Sequence, residues 1–530
     1  MKRQYLYAFI FISFFTACLD SPEMTTGIVN GKEIPTVETD STGTLYSNGN
    51  LRIQGKILSE GKSKISERGF FWSIVSNNPG FNDNNSIISL DNSSTFTCEL
   101  KNIVGDTIYY WRAYAKNGFG IEYAGDVYSF RTPKDEPEVA TISINTFINE
   151  GIILFKGEIK SEGKSEIIER GFCWSATSEN PTVNDDTIRI QGADFDEFSY
   201  ELKSASGDKT YYCRAYAKNS LGYYGYGNTF KCETPQIWEQ ITVFSPEPRG
   251  NGAICLVNNN IYLICGETEW GRVPLQETYI YDIANEEWEQ RDRYNFPGGA
   301  RVSLVVFPIG NYAYVGTGRN PNACNDFYKF NIDTKIWSGI NVPNDLDARS
   351  DAVAFSMNGK GYVVGGYGLS ALNDVWQYNP VEDSWERKNN FPFTFFRGIS
   401  IYGNNRAFVG FSETGDSRKI LWEYIEETDS WSEFTTLPDY IDKKIYSGVI
   451  VQNVIYIVDA DNKIWACDTS NETKTWEEKA TLPDELLFGN SEIGFQAGFQ
   501  IMLSTVNSNS IYVGLGYTKY LFEYRPLWDN

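Results

Sequence analysis

Tryptophan recurs down the C-terminal half of this chain at positions 238, 288, 337, 385, 431, 476 and 528, and six of the seven share one point of a repeat about fifty residues long. A unit of that length buries its apolar face only against another copy, so the repeats must stack, and their number decides what they close into. The unit reads most clearly at 349–385: Arg349, the apolar run Ala352 to Met357, an Asn358-Gly359 turn, Gly361 to Gly366, then Val375 to Tyr378, a turn, and Trp385-Glu386. Four short strands separated by turn residues emerge. Relatives of the unit start at Arg249, Arg301, Arg397 and Lys443, with a degenerate sixth near Gly489.

A period of this size, with a Gly-Gly strand followed by Tyr and then Trp, resembles the kelch repeat of β-propellers. Spacing tests how such a ring would close. Tyr281 and Trp288, Phe330 and Trp337, Tyr378 and Trp385, and Tyr424 and Trp431 are each seven residues apart, whereas Tyr524 has no such partner before Asn530. The missing outer strand has a donor in Trp238 to Ile241, which reads like Trp288-Glu-Gln290. The expectation is six blades over residues 236–530, closed by the N-terminal strand, which leaves no long unpaired edge. Trp528 falls outside the series.

Ahead of the repeats the chain is duplicated. SEGKSKISERGF at 59–70 recurs as SEGKSEIIERGF at 161–172, and Tyr109 to Asn117 recurs as Tyr211 to Asn219, at a constant offset of 102. Alternating apolar positions and frequent turns make each copy a β-sandwich, at 41–134 and 135–235. The pattern Gly-Phe-Phe/Cys-Trp-Ser with Tyr-Tyr-x-Arg-Ala-Tyr-Ala-Lys-Asn resembles fibronectin type III-like modules of secreted proteins in the Bacteroides group, which implies a spacer that presents its neighbour. The fold class is therefore all-β: two tandem sandwiches followed by a six-bladed kelch-type propeller. Phe71 and Trp111 of the first copy become Cys173 and Cys213 in the second. A disulfide replacing an aromatic contact and two buried thiols both fit that change. The other cysteines of the repeats have no metal-ligand spacing.

Met1-Lys-Arg3 and the apolar stretch Tyr5 to Phe15 have the form of a signal peptide at 1–17, too short to span a membrane. It ends in Phe15-Thr-Ala-Cys18, which resembles a bacterial lipoprotein lipobox and implies lipid on the Cys18 thiol. Residues 18–40 then read as a flexible tether. Acids soon after the cysteine, Asp20 and Glu23, are similar to those of surface-exposed outer-membrane lipoproteins in the same group. A net charge of -23 argues against nucleic acid, because phosphate binding demands a basic surface.

There is no histidine in the sequence, which removes the usual general base and most zinc or copper sites. It also breaks the analogy with galactose oxidase, a kelch-type enzyme whose copper needs histidines; no cofactor or metal is expected. In an up-and-down repeat the short turns Asn258-Asn259, Asn358-Gly359 and Asn404-Asn405 share one face. The long connections 266–276, 316–325, 366–373 and 411–419 share the other, where binding residues concentrate. On that face the starts of the innermost strands place Arg249, Arg301, Arg349, Arg397 and Lys443 in a cationic ring, suited to carboxylate, sulfate or phosphate. Pairing of these cations with loop acids is the competing reading. Trp270, Arg272, Arg319, Tyr367, Phe395 and Phe396 are candidates for the same mouth, since aromatics beside polar groups suit sugar rings.

These residues favour a lipid-anchored envelope protein, monomeric or part of a transporter-associated complex, that captures carbohydrate for uptake without catalysis. Protein–protein scaffolding in an outer-membrane complex is the alternative. So is a metal-independent enzyme resembling the kelch-type sialic acid mutarotases, although no acid or base can be assigned to it.

Overall fold

A computed structural model describes residues 28–29, 32–46, 49–81, 85–120, 122–191, 197–244, 248–268, 273–289, 294–412, 416–486, 501–503, 509–515 and 518–529. The signal peptide, Cys18, Trp270, Arg272 and the repeat start near Gly489 lie outside these residues. Among them the structure is strands and short 3-10 turns, with no α-helix. The chain divides into two compact units: residues 1–144, 155–200 and 212–230, and residues 145–154, 201–211 and 231–530.

In the first unit the alternation seen in sequence becomes burial. Leu51, Ile53 and Gly55 point inward along Leu51–Ser59 while Arg52 and Lys56 face water. That strand pairs with Thr36–Thr39, Thr44–Leu45 and Thr95–Leu100. A second sheet joins Ile65–Ser73, Ser86–Ile88, Ile108–Asn117, Glu122–Ala124 and Tyr128–Arg131. One core of Leu51, Ile53, Phe70, Phe96, Trp111 and Ala113 fills the space they share. The second copy repeats the pairing around Ile167–Ser175 and Thr210–Asn219. Gly55 and its counterpart Gly157 mark the closest approach. An added Cβ would lie 2.8 Å from Ala113 Cβ or 2.7 Å from Ala215 Cβ, so the close approach there needs glycine.

Register settles the cysteine question. Cys173 sits opposite Arg214, and Trp174 opposite Cys213. Cross-strand partners share a face and successive residues alternate, so Cys173 and Cys213 project to opposite sides of the sheet. Both are buried thiols outside any disulfide, so the disulfide expected as one alternative is not formed. The same parity holds for Phe71, opposite Arg112, and Trp111, opposite Trp72, so the paired changes did not replace one aromatic contact. The copies also diverge at a lysine. Lys164 is buried, donating to the Ile103 carbonyl and lying 3.3 Å from Asp135, whereas its counterpart Lys62 is exposed.

The repeats of the second unit form six four-stranded antiparallel sheets. The first five begin with Ala253–Val257, Val305–Ile309, Val353–Met357, Ile399–Gly403 and Ile445–Val451. The sixth combines Ile501–Leu503, Ile511–Gly514 and Tyr520–Tyr524 with Trp238–Val243, and Trp238 lies opposite Tyr524. First strands neighbour one another in a closed circuit, with Ile501–Leu503 adjacent to both Ile445–Val451 and Ala253–Val257. Trp238 takes the place its spacing assigns. Its ring is 4.7 Å from that of Tyr524, and the intrasheet pairs Tyr281–Trp288, Phe330–Trp337, Tyr378–Trp385 and Tyr424–Trp431 lie at 4.9–5.0 Å. These tryptophans also lace neighbouring sheets together: Trp288 Nε1 donates to Thr242 Oγ1, Trp337 Nε1 to the Tyr294 carbonyl and Trp385 Nε1 to the Asn341 carbonyl. Trp528, outside the series, is fully buried in the turn Pro526–Trp528 and donates to the Ile148 carbonyl at 2.8 Å.

Candidate functional site

The first strands enclose a cavity of about 1200 Å³ that extends to the short turns at Asn258, Gly310, Asn358, Asn404 and Gln452. Toward the long loops it continues into a smaller cavity of about 210 Å³, and the two share Gly252, Ile254, Leu304, Ala352, Gly398 and Tyr446. The smaller one is the mouth on the loop face, and the residues entering each first strand build it.

Two of the five expected cations, Arg301 and Arg349, do not line this mouth, and a third, Arg249, borders it with its side chain almost wholly buried. Arg349 is completely buried, its guanidinium gripping Asp374 through two bonds of 2.7 and 2.8 Å and donating to the Gly365 and Asp347 carbonyls at 2.9 Å. Arg301 repeats the arrangement with Asp326 and the Thr317 carbonyl. Arg249 lies 3.5 Å from Glu277 with its guanidinium over the rings of Phe244 and Tyr279. Each arginine therefore ties the entry of the first strand to the entry of the third, across the end of the second. Thr317 and Gly365 have φ of 58° and 60°, a left-handed twist at the ends of the second strands whose carbonyls the arginines bind. Burial works against these charges, but hydrogen bonds and opposite charge outweigh it: the Arg301 pKa is raised by Asp326, and the Asp374 carboxyl is held below the ordinary carboxylate range by Arg349 and Trp376. For Arg301 and Arg349 the expected ligand role gives way to an internal one, because their buried guanidinium groups are taken up by paired acids and carbonyls, whereas Arg249 is buried with its Nε unpartnered among the described residues and still borders the small cavity.

Arg397 differs because it occupies another register. The amide of Arg301 donates to Leu275, that of Arg349 to Cys324 and that of Phe395 to Leu372. Phe395, buried in an apolar cluster, thus stands where the other sheets have arginine. Arg397 instead matches Asn251, Ser303 and Asp351, which sit two residues beyond the buried arginines. All four have left-handed φ, between 53° and 58°. The Ser303 amide donates to the Asn251 carbonyl, Asp351 to Ser303, and Arg397 to Asp351, at 2.8–3.2 Å, so a run of main-chain bonds rounds the mouth.

With the backbone held this way, Asn251, Ser303, Asp351 and Arg397 line the small cavity together with Tyr446. Arg397 Nε lies 3.3 Å from Asp351 Oδ1, with 43% of the arginine side chain exposed and 13% of the aspartate. Ser350 Oγ donates to the other Asp351 oxygen at 2.7 Å, and Asn251 Nδ2 donates to Glu267 at 2.7 Å. Burial, with the charges of Asp459 and Asp461, raises the Tyr446 hydroxyl above its ordinary pKa, so it stays a neutral donor. Lys443 is exposed just before the fifth first strand. Arg319 and Tyr367 are exposed on the flanking loops, and Tyr367 packs against Phe396 at 5.5 Å. Asn251, Ser303, Asp351 and Tyr446 were not singled out in sequence. A local signal exists for two of them, Asn251 and Asp351, residue types tolerant of positive φ that precede Gly252 and Ala352; Ser303 and Tyr446 carry none.

Residues 228–366 match the KLHDC2/KLHL20/DRC7 Kelch-repeats domain, and residues 348–392 match the Kelch motif. The repeats within residues 228–392 are thus matched as kelch repeats. Kelch domain-containing protein 3 of Bos taurus is 24% identical over 174 residues, 30% of this chain and 44% of that protein. The chain thus spans less than half the length of this relative. N-acetylneuraminate epimerase 1 of Escherichia coli O6:H1 is 22% identical over 322 residues, covering 54% of this chain and 82% of the epimerase. N-acetylneuraminate epimerase of Pasteurella multocida is 29% identical over 136 residues, 24% and 32% of the two chains. A solved structure titled "Structure of YjhT" aligns with a TM-score of 0.41 at 14% identity, over 52% of this chain and 92% of that one.

Proposed function

We propose that this chain is a lipid-anchored cell-envelope binding protein: two β-sandwich modules carrying a six-bladed kelch propeller whose loop-side mouth captures a carbohydrate. The observation that carries this reading is the small cavity lined by Asn251, Ser303, Asp351, Arg397 and Tyr446. It joins hydroxyl, amide, carboxylate and guanidinium groups with one aromatic ring, a set that matches the alternating hydroxyls and C–H faces of a sugar. Bidentate donation by Arg397 would favour a carboxylate on that sugar. The anchor would be Cys18. A glycan array probed with the full chain tests the reading: saturable binding that falls in Arg397→Ala supports it, and an array with no saturable signal refutes it.

A second reading is a metal-independent enzyme acting on an acidic sugar, favoured by the alignment over 82% of a protein named N-acetylneuraminate epimerase 1. In that case Asp351 and Tyr446 are the groups of the mouth able to move a proton. NMR of the anomers of N-acetylneuraminate, with and without the protein, separates catalysis from capture.

A further inference from the structure

We propose that the ligand of the mouth is an oligosaccharide, one of whose rings rests outside the cavity on an aromatic platform made by Tyr367 and Phe396. The proposal rests on the carbohydrate reading above and adds to it a second subsite.

The cavity itself asks for one. At about 210 Å³ it is smaller than the roughly 300–1,000 Å³ of ordinary small-molecule pockets, so a ligand longer than one ring extends beyond it, inward to the larger cavity or outward onto the loop flank. On that flank the third sheet departs from its neighbours. Its second and third strands, Lys360–Tyr367 and Ala371–Asn379, stay paired as far as Tyr367 and Ala371. In the first, second and fourth sheets the continuous ladders end at Ile264 with Thr278, Gly316 with Phe327 and Gly410 with Leu421. In the first two the connection is closed by single bridges, Glu267 to Pro274 and Arg319 to Ala323, so that Tyr367 takes the position held there by Glu267 and Arg319. The result is a hairpin with Leu369 fully exposed at its tip and Tyr367, 46% exposed, at its base.

Tyr367 is fixed in place yet left open. Its amide donates to the Ser350 carbonyl at 2.7 Å, and the Ser350 amide donates back at 2.9 Å. Its ring meets that of Phe396 at 5.5 Å and 62°, an edge contact that orients the phenol without enclosing it. Both partners lead directly into the mouth. Ser350 precedes Asp351 and hydrogen-bonds its carboxylate, and Phe396 precedes Arg397. The platform and the polar cluster are thus one continuous surface. A tyrosine with two side-chain torsions, already held by backbone and ring contacts, presents a rigid amphipathic face at little entropic cost, which is what stacking on a pyranose C–H face requires.

The test compares one ring with three, using the full chain and calorimetric titration with glucose and maltotriose, xylose and xylotriose, and galacturonate and trigalacturonate. At least one trisaccharide is expected to bind more tightly than its monosaccharide. Tyr367→Ala should weaken that trisaccharide about three- to tenfold, the worth of one aromatic contact, and leave the monosaccharide unchanged. Tyr367→Phe should restore the wild-type affinity. If Arg397→Ala weakens both lengths while Tyr367→Ala weakens neither, the platform is refuted and the mouth stands. If none of the six sugars binds the wild-type chain, the platform proposal falls, and the capture reading is decided by the glycan array alone.

Discussion

Replacing Arg349 by methionine separates a structural cation from a ligand-binding one. The guanidinium is fully buried and makes four bonds, two of them to Asp374. Removing it strands a buried carboxylate that keeps Trp376 Nε1 as a side-chain donor at 2.6 Å. Breaking one side of such a pair costs about 3–5 kcal/mol. The repeats occupy roughly 300 residues of the second unit, for which the unfolding entropy is about 0.6 kcal/mol/K, so the melting temperature should drop by about 5–8 °C. Calorimetry of the full chain reads this directly. Arg349→Met with Asp374→Leu should recover most of the loss, because no unpaired charge is left behind. Acid closes the gap from the other side. The folded pKa of Asp374 lies below its unfolded value, so its contribution is complete above about pH 4 and is lost as pH falls through the folded value. The wild type and the double variant should therefore converge in acid. An Arg349→Met protein that melts within about 1 °C of wild type but no longer binds sugar would show that the guanidinium meets a ligand after all.

Trp238→Ala should open the sixth sheet, since it removes the ring that stacks on Tyr524; a half-buried tryptophan should cost about 2 kcal/mol, and limited proteolysis should then cut after residue 236 faster than in wild type. Cys173 and Cys213 should leave melting unchanged under dithiothreitol. Cys173, pushed up to about 12 by burial, should resist alkylation at pH 8 until the chain is denatured, and reductant-sensitive melting would refute the assigned register. Lys164→Ala should destabilise the first unit by about 2 kcal/mol by stripping a buried donor from the Ile103 carbonyl and a neighbouring positive charge from Asp135, whereas Lys62→Ala at the exposed counterpart should cost about 0.5 kcal/mol or less.

Much of the repeat region was legible because its information is periodic. The seven-residue step from Tyr281 to Trp288 and its relatives gives the pairing of third and fourth strands, and the unpartnered Tyr524 points to Trp238. The mouth was less legible because one residue type stood in for a backbone position. Arg397 looks like another Arg349, yet the equivalent of Arg349 is Phe395, a substitution of charge by aromatic that the string FPFTFFRG does not reveal. Left-handed φ at Asn251 and Asp351 follows a residue preference, but at Ser303 and Arg397 it is imposed by the main-chain bonds between sheets, which no local pattern encodes. The cysteine pair failed as a disulfide for a similar reason: the facing side depends on register, and a one-residue shift would have brought the thiols to the same face.

The main-chain bonds around the mouth also bear on how such a protein diversifies. Because main-chain bonds link residues 251, 303, 351 and 397 from sheet to sheet, those four positions carry an amide, a hydroxyl, a carboxylate and a guanidinium on equivalent backbone. Selection, or a combinatorial library, can exchange them without reworking the scaffold. The limit is steric, since β-branched residues tolerate positive φ poorly. Under the proposed capture role, ligand preference would then be set largely apart from folding, and four codons should be enough to redirect it.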